Sequence, residues 1–285
     1  MGEKINIICW KWKKPDPPST KNTKEFTALH VNTLYNMLQR HLSLPHQLIC
    51  ITDDPVGILS GVNVFPMINT FVKLGGCYRR LALFGPDLEV YFGKRFACMD
   101  LDVVIVDGVT SIFSKTADFI VWGERLRKTP YCGSMWMMDA GSRPEVWNKF
   151  NKNPRAAINL SKKKYKVGSD QSFISYCLYP NEEVWTTEDG IYNFKLDVMK
   201  AKPVRKELSS LGKVKRRAKE KRKNVVLLSE GMNNHEPISD HDIIVLNRPT
   251  GELPVNAKIV FFNGKFDPSD PIIQEKNLWI KEHWR

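Results

Sequence analysis

The run Phe96-Ala97-Cys98-Met99-Asp100-Leu101-Asp102-Val103-Val104-Ile105-Val106 decides the fold. It is apolar on both sides of two aspartates that stand one residue apart. A strand with no polar face is buried on both sides, as in a mostly parallel sheet covered by helices. In an extended chain residues i and i+2 face the same way, so Asp100 and Asp102 at a strand end can approach one divalent cation. Without such a partner, two carboxylates in an apolar run are costly to bury.

An Asp-x-Asp triplet arises by chance roughly once in a chain of this length, so position has to discriminate. Asp240-His241-Asp242 is a second one, but it precedes its apolar run in a polar stretch and reads as a loop or turn. Asp100-Leu101-Asp102 follows its strand, and ligands in open α/β sheets bind beyond the carboxyl ends of strands.

Working outward, Ile5 to Trp10, the periodic stretch Phe26 to Leu42 and then Gln47 to Thr52 have the rhythm of a βαβ unit. Val62 to Met67 follows, then a helical stretch Tyr78 to Phe84 ended by Gly85-Pro86, then the strand Arg95 to Met99. Further strands are expected at Asp118 to Trp122, Ser134 to Met138 and Lys258 to Phe262, and helices at Arg143 to Phe150 and Asp170 to Cys177. The fold class is α/β, Rossmann-like, with a mostly parallel central sheet.

With 285 residues, 42% hydrophobic and 26% charged, the chain supports one main domain with an insertion. Six cysteines lie singly, with no C-x-x-C pair, which argues for reduced thiols and a cytoplasmic setting and against a disulfide framework or zinc site. No signal peptide is expected, because the first apolar run is only about six residues long. No stretch approaches the roughly 20 apolar residues of a membrane span.

The net charge of +12 is local. Lys202 to Lys223 holds eleven Lys and Arg against Glu207 and Glu220, a surplus of nine, which leaves three for the rest of the chain. Lys213, Lys215, Arg216, Arg217, Lys219, Lys221, Arg222 and Lys223 are its densest part, and such a block suits a polyanion, nucleic acid or an anionic membrane surface. A solvated helical insertion is the bland alternative. The resulting organisation is a core over 1–198, a basic insertion over 199–246 with two short apolar runs able to form a hairpin, and a C-terminal segment over 247–285. That segment completes the site and docks on the core through Leu278, Trp279, Ile280 and Trp284.

Several segments in order carry a resemblance: Leu44-Pro45-His46, then Cys50-Ile51-Thr52-Asp53-Asp54-Pro55, Tyr78-Arg79-Arg80-Leu81-Ala82-Leu83-Phe84, Met99-Asp100-Leu101-Asp102, Gly168-Ser169-Asp170-Gln171, and Ile259-Val260-Phe261-Phe262-Asn263-Gly264-Lys265. Together they look like bacterial and phage relatives of the family 8 glycosyltransferases, the group of glycogenin and the lipopolysaccharide galactosyltransferases. The resemblance implies a GT-A fold, a nucleotide-sugar donor, above all a UDP-sugar, and transfer with retention. It also implies Mn²⁺ or Mg²⁺ held by Asp100 and Asp102, Arg80 and Lys265 on the donor, and the pair Asp170 and Gln171 beside the transferred sugar. Asp170 also reads as part of a helix N-cap region.

Three positions depart from the pattern. Asn263 stands where relatives carry a histidine metal ligand, and its amide oxygen is a weaker ligand for Mn²⁺ than imidazole. Asp267 stands where relatives carry a basic residue, which removes one phosphate contact. Tyr131 to Met135 lacks the asparagine usual before that strand.

Trp10, Trp12 and Tyr78 are candidates for stacking on a base or sugar, with core packing as the plainer reading. For the acceptor, the basic block points to nucleic acid, for instance a hydroxymethylated base in phage DNA. A lipopolysaccharide or capsule glycan is the alternative. A nucleic-acid-binding protein on a degenerate transferase fold is the reading from another class.

Overall fold

The computed structural model describes residues 4–13, 25–67, 74–123, 129–199, 204–207, 226–228, 243–246 and 251–285. The basic cluster from Lys213 to Lys223 and the triplet Asp240-His241-Asp242 lie outside the described residues.

In chain order the strands are β1 Ile5–Lys11, β2 His46–Thr52, β3 Asn63–Pro66, β4 Arg95–Met99, β5 Val103–Ile105, β6 Phe119–Gly123, β7 Tyr131–Asp139, β8 Glu183–Trp185, β9 Ile191–Asn193, β10 Val204–Glu207, β11 Val226–Leu228, β12 Ile243–Leu246 and β13 Ile259–Phe261. The helices are α1 Ala28–His41, α2 Glu89–Phe92, α3 Thr110–Phe113, α4 Pro144–Lys152, α5 Pro154–Tyr165, α6 Asp170–Leu178, α7 Pro271–Lys276 and α8 Leu278–His283, with a 3₁₀ segment over Gly76–Phe84.

Seven strands form the central sheet in the order β3-β2-β1-β4-β7-β6-β8. Strands β3, β2, β1 and β4 run parallel, β7 is antiparallel to both its neighbours, and β8 is parallel to β6. The expected mixed α/β architecture with a mostly parallel sheet is what the chain adopts. Its core is dense in large side chains: Phe84, Phe92, Phe96, Phe119 and Trp136 are fully buried together. Burial of each such side chain stabilises the fold by roughly 1.5–3 kcal/mol.

A second sheet, in the order β5-β13-β9, takes over the chain just after β4. The apolar run therefore does not continue as one strand. It bends at Leu101 and Asp102, and the two aspartates sit where the chain passes from one sheet to the other. The C-terminal tail docks through Ile280 and Trp284, both buried, and Arg40 of α1 donates to the carbonyls of His283 and Arg285. Leu278, expected to dock with them, is 72% exposed.

The chain divides into two compact units, Met1–Asn193 with Val255–Arg285, and Phe194–Pro254. Within the second, β10, β12 and β11 form an antiparallel three-stranded sheet, one strand more than the hairpin expected from Val225 to Leu228 and Ile243 to Leu246.

Candidate functional site

Four elements meet at the carboxyl end of β4. Asp100 leaves that strand with its backbone N–H donated to the Ser134 carbonyl of β7 at 2.8 Å. Arg80 reaches it from the 3₁₀ segment, whose buried residues Leu81 to Phe84 anchor the guanidinium beneath the site. The helix α6 starts with Ser169 as its N-cap, the hydroxyl accepting from the Ser172 backbone N–H at 3.3 Å. Ser169 therefore does the capping, and Asp170, the first helical residue, turns its carboxylate towards Arg80.

The side chain of Arg80 is only 10% exposed. Its Nη1 donates to Asp100 Oδ1 and, at 2.9 Å, to the Gly133 carbonyl. Its Nη2 lies 2.7 Å from Asp170 Oδ2. Burial alone would lower the pKa of this guanidinium, but the carboxylates of Asp100 and Asp170 hold it well above its ordinary value. The cation is permanent, and it pairs with Asp170, whose side chain is only 2% exposed. The Nε of Arg80 is buried without a hydrogen-bond partner among the described residues.

Gly133 supplies backbone to this centre. Its N–H faces Gln171 Oε1 at 3.4 Å. A Cβ there would stand 3.2 Å from Asp170 Oδ2, 3.2 Å from Gln171 Cβ and 3.4 Å from Arg80 Nη2. Glycine inside a strand marks a close approach of another group, and this one admits the whole cluster.

Asp102 and Asn263 form the neighbouring corner. The Phe262 N–H donates to the Asp102 carbonyl at 2.7 Å, which sets Asn263 one residue beyond it as the chain leaves β13. Asn263 Oδ1 in turn accepts a hydrogen bond from Asn193 Nδ2, and Asn193 is buried at the end of β9. Lys265 follows Gly264, which adopts φ +69°, and its ammonium lies 5.6 Å from the centre of the Phe266 ring. The structure thus joins Arg80, Asp100, Asp170 and Gln171 around Gly133, seats Asp102 beside Asn263, and leaves Lys265 on an exposed turn.

Asp100 gives Oδ1 to Arg80 and keeps Oδ2 uncommitted among the described residues. No group of three His, Cys, Asp or Glu side chains that could hold a metal ion converges among those residues. The side chains of Asp100, Asp102 and Asn263 carry only oxygen donors of the kind a hard divalent cation takes.

Burial, and then the neighbouring Asp170 charge, pushes the Cys77 thiol up to about 12. Burial likewise pushes Cys98 up to about 12. Both stay protonated near neutrality and are unsuited to nucleophilic work. None of the six cysteines is in a disulfide. Tyr78 stacks on Phe150 at 5.6 Å, with burial raising its hydroxyl to about 12, and Trp10 is core, so packing is their role here. Trp12 keeps a face turned outward from the core and carries Arg79 5.2 Å above its ring.

Several features escape a sequence reading. Gly133 and Asn193 act through backbone or through a partner far along the chain. Asp267 is half of a pair with His30 of α1, at 3.2 Å. A basic surface also lies on α5. On α5 and its C-cap, Arg155, Asn159, Lys162 and Lys166 recur at spacings of four, three and four, so they share one face, opposite the buried Ala157 and Ser161. Lys149, Lys152, Lys163 and Lys164 flank them, and all six lysines and Arg155 are exposed. Its sequence signal is the cluster Lys162-Lys163-Lys164, sparser than the basic block downstream.

A mostly parallel seven-stranded sheet that hands its chain to a smaller sheet at Asp100 to Asp102 is a Rossmann-like α/β fold. Among solved structures the chain is similar to the glycosyltransferase GlyE of Streptococcus pneumoniae TIGR4, with a TM-score of 0.51 and 9% sequence identity over 99% of this chain and 63% of that one. At that identity the likeness is one of fold, and the chain spans less than two thirds of GlyE. No protein-family model and no curated protein matches the sequence. Among the described residues no helix is long and apolar enough to cross a membrane.

Proposed function

We propose that the chain is a family 8-like, metal-dependent retaining glycosyltransferase that moves a sugar from a nucleotide-sugar donor, a UDP-sugar, to a hydroxyl of a polyanionic acceptor. The observation that carries this reading is the buried bridge from Asp100 through Arg80 to Asp170, built at the carboxyl end of β4. A charge network of that density, assembled from four separate elements, has no stabilising purpose that an apolar packing would not serve better.

In this reading Asp100, Asp102 and Asn263 hold Mn²⁺ or Mg²⁺. The cation supplies Lewis-acid charge that offsets the negative charge developing on the departing diphosphate. Lys265, on its exposed turn, adds a point charge to the same leaving group. Asp170 and Gln171 sit under the anomeric carbon, where Asp170 stabilises the positive charge that builds as the bond to the diphosphate breaks. Arg80 holds Asp170 and Asp100 in register.

For the acceptor, the face of α5 is the supporting feature. Its cations run along the helix towards the turn that leads into Asp170, so a chain of phosphates lying on them would be delivered to the reacting pair. Nucleic acid is the acceptor we favour, with the cluster from Lys213 to Lys223 as a second contact. An anionic glycan is the competing acceptor.

The test is release of nucleoside diphosphate from a panel of nucleotide sugars, with and without Mn²⁺, for the wild type and Asp102→Ala. One donor is expected to stand out, with turnover that needs both the metal and Asp102. Absence of turnover with every donor, beside salt-sensitive binding of DNA, would replace the enzyme by a nucleic-acid-binding protein on the same fold. Asn263 in place of the usual histidine is the feature that favours that second reading.

A further inference from the structure

The first turn of α1 and the loop after β13 meet through one enclosed pair. His30 Nδ1 faces the backbone N–H of Thr27 at 3.2 Å. A main-chain N–H can only donate, so in the neutral ring Nδ1 is the acceptor and the proton resides on Nε2. Nε2 stands 3.2 Å from Asp267 Oδ1 and donates to it. The same carboxylate oxygen accepts from the Ser269 N–H at 2.9 Å and from the Ser269 hydroxyl at 2.7 Å. The two side chains are 5% and 16% exposed, and the imidazole is boxed by Phe26 at 5.3 Å and Trp284 at 5.6 Å.

Between Asn263 and Asp267 the chain carries only Gly264, Lys265 and Phe266. One end of that turn is fixed by Asn193 on the Asn263 amide, the other by His30 on Asp267. The turn itself projects outward, with Gly264 and Lys265 exposed. We propose that the His30–Asp267 pair is a positioning device that holds the Asn263–Lys265 turn in its donor-binding geometry before the donor arrives. On this view the carboxylate at 267 replaces a contact to the diphosphate with an internal tether, and part of the ordering cost of binding is met during folding. The inference rests on the transferase reading for what the turn binds, but the tether itself does not.

Two substitutions of one residue separate this role from simple helix capping. In His30→Gln the side-chain amide N–H takes the place of Nε2–H and keeps the tether. In His30→Asn the amide oxygen takes the place of Nδ1, keeping the Thr27 contact and losing Asp267. The readouts are calorimetric affinity for UDP with MnCl₂, the split between KM and kcat for the donor, and hydrogen exchange of the 264–266 amides.

His30→Asn is expected to weaken UDP binding and raise the donor KM about tenfold with little change in kcat, and to speed exchange at 264–266, while His30→Gln stays near wild type. Asp267→Asn, which retains an acceptor oxygen, should also stay near wild type. A capping role alone predicts the reverse order, with His30→Asn tolerated and the amides of 28–31 loosened in His30→Gln; that order, or equal behaviour of the two variants, overturns the proposal. If wild-type protein binds no UDP, the transferase reading fails, and exchange at 264–266 still decides whether the tether exists.

Discussion

Two arginines in this protein each bridge two carboxylates, and they do so to different ends. Arg143, at the start of α4, commits all five of its N–H groups: Nε and Nη2 to Glu182 at 2.7 Å each, Nη1 and Nη2 to Asp118 at 2.9 Å each, and Nη1 to the Ser142 carbonyl at 2.8 Å. Arg80 is the more deeply buried, yet its Nε has no partner and Asp100 keeps an oxygen uncommitted among the described residues. A finished clamp, with every donor committed, is structure. A buried clamp left open costs stability, and groups kept in that state are the ones a ligand can complete.

The comparison breaks most directly at Arg80. Arg80→Ala leaves Asp100 and the buried Asp170 facing each other without their cation, a loss of about 3–5 kcal/mol in urea unfolding. Arg80→Lys restores the charge without the fork and is expected to fold while losing at least about 100-fold in donor turnover. A fully active lysine variant would show that Arg80 contributes charge alone.

Arg143→Ala should cost less, about 2–3 kcal/mol, because it leaves only one buried carboxylate, Glu182, without its cation while Asp118 is 60% exposed, and turnover per folded molecule should not change. If activity falls with it, the division between the two clamps is wrong.

Gly133→Ala sharpens the comparison without touching charge. The added methyl presses on Asp170 and Gln171 and is expected to lower turnover up to about tenfold while the melting temperature shifts by only a few degrees, roughly. The smallest signal is chemical. With its thiol pushed up to about 12, Cys77 should alkylate very slowly at pH 8 and faster as pH rises. Asp170→Asn removes one of the charges that raise this pKa, after burial, so it should speed the labelling; mass spectrometry of the modified peptide reads both rates.

The frame was legible because its signals are local. The strands β1, β2 and β4 carry the apolar runs Ile7 to Trp10, Leu48 to Ile51 and Phe96 to Met99, and α1 carries Val31, Leu34, Met37 and Leu38 on one buried stripe. The helix α5 was not, because Pro154 and a run of lysines resemble a loop when the proline is not recognised as a helix's first residue. Strands as short as β8 and β9 have no periodicity to read. In the site, Asp100, Asp102 and Asp170 announce themselves as carboxylates beside apolar segments. The His30–Asp267 pair spans 237 residues, and no local pattern encodes it. Nor could the sequence foretell the bend at Leu101–Asp102, which depends on β13 arriving to pair with β5.

One strand direction has a wider effect. Because β7 runs against β4, the segment that begins it, and not the segment that ends it, lies beside Asp100. Its contribution to Arg80 is a peptide carbonyl, which every amino acid possesses and no substitution deletes. Mutational drift at position 133 can therefore crowd this corner of the site but cannot strip it of its acceptor, so what selection has to preserve there is an absence of side chain.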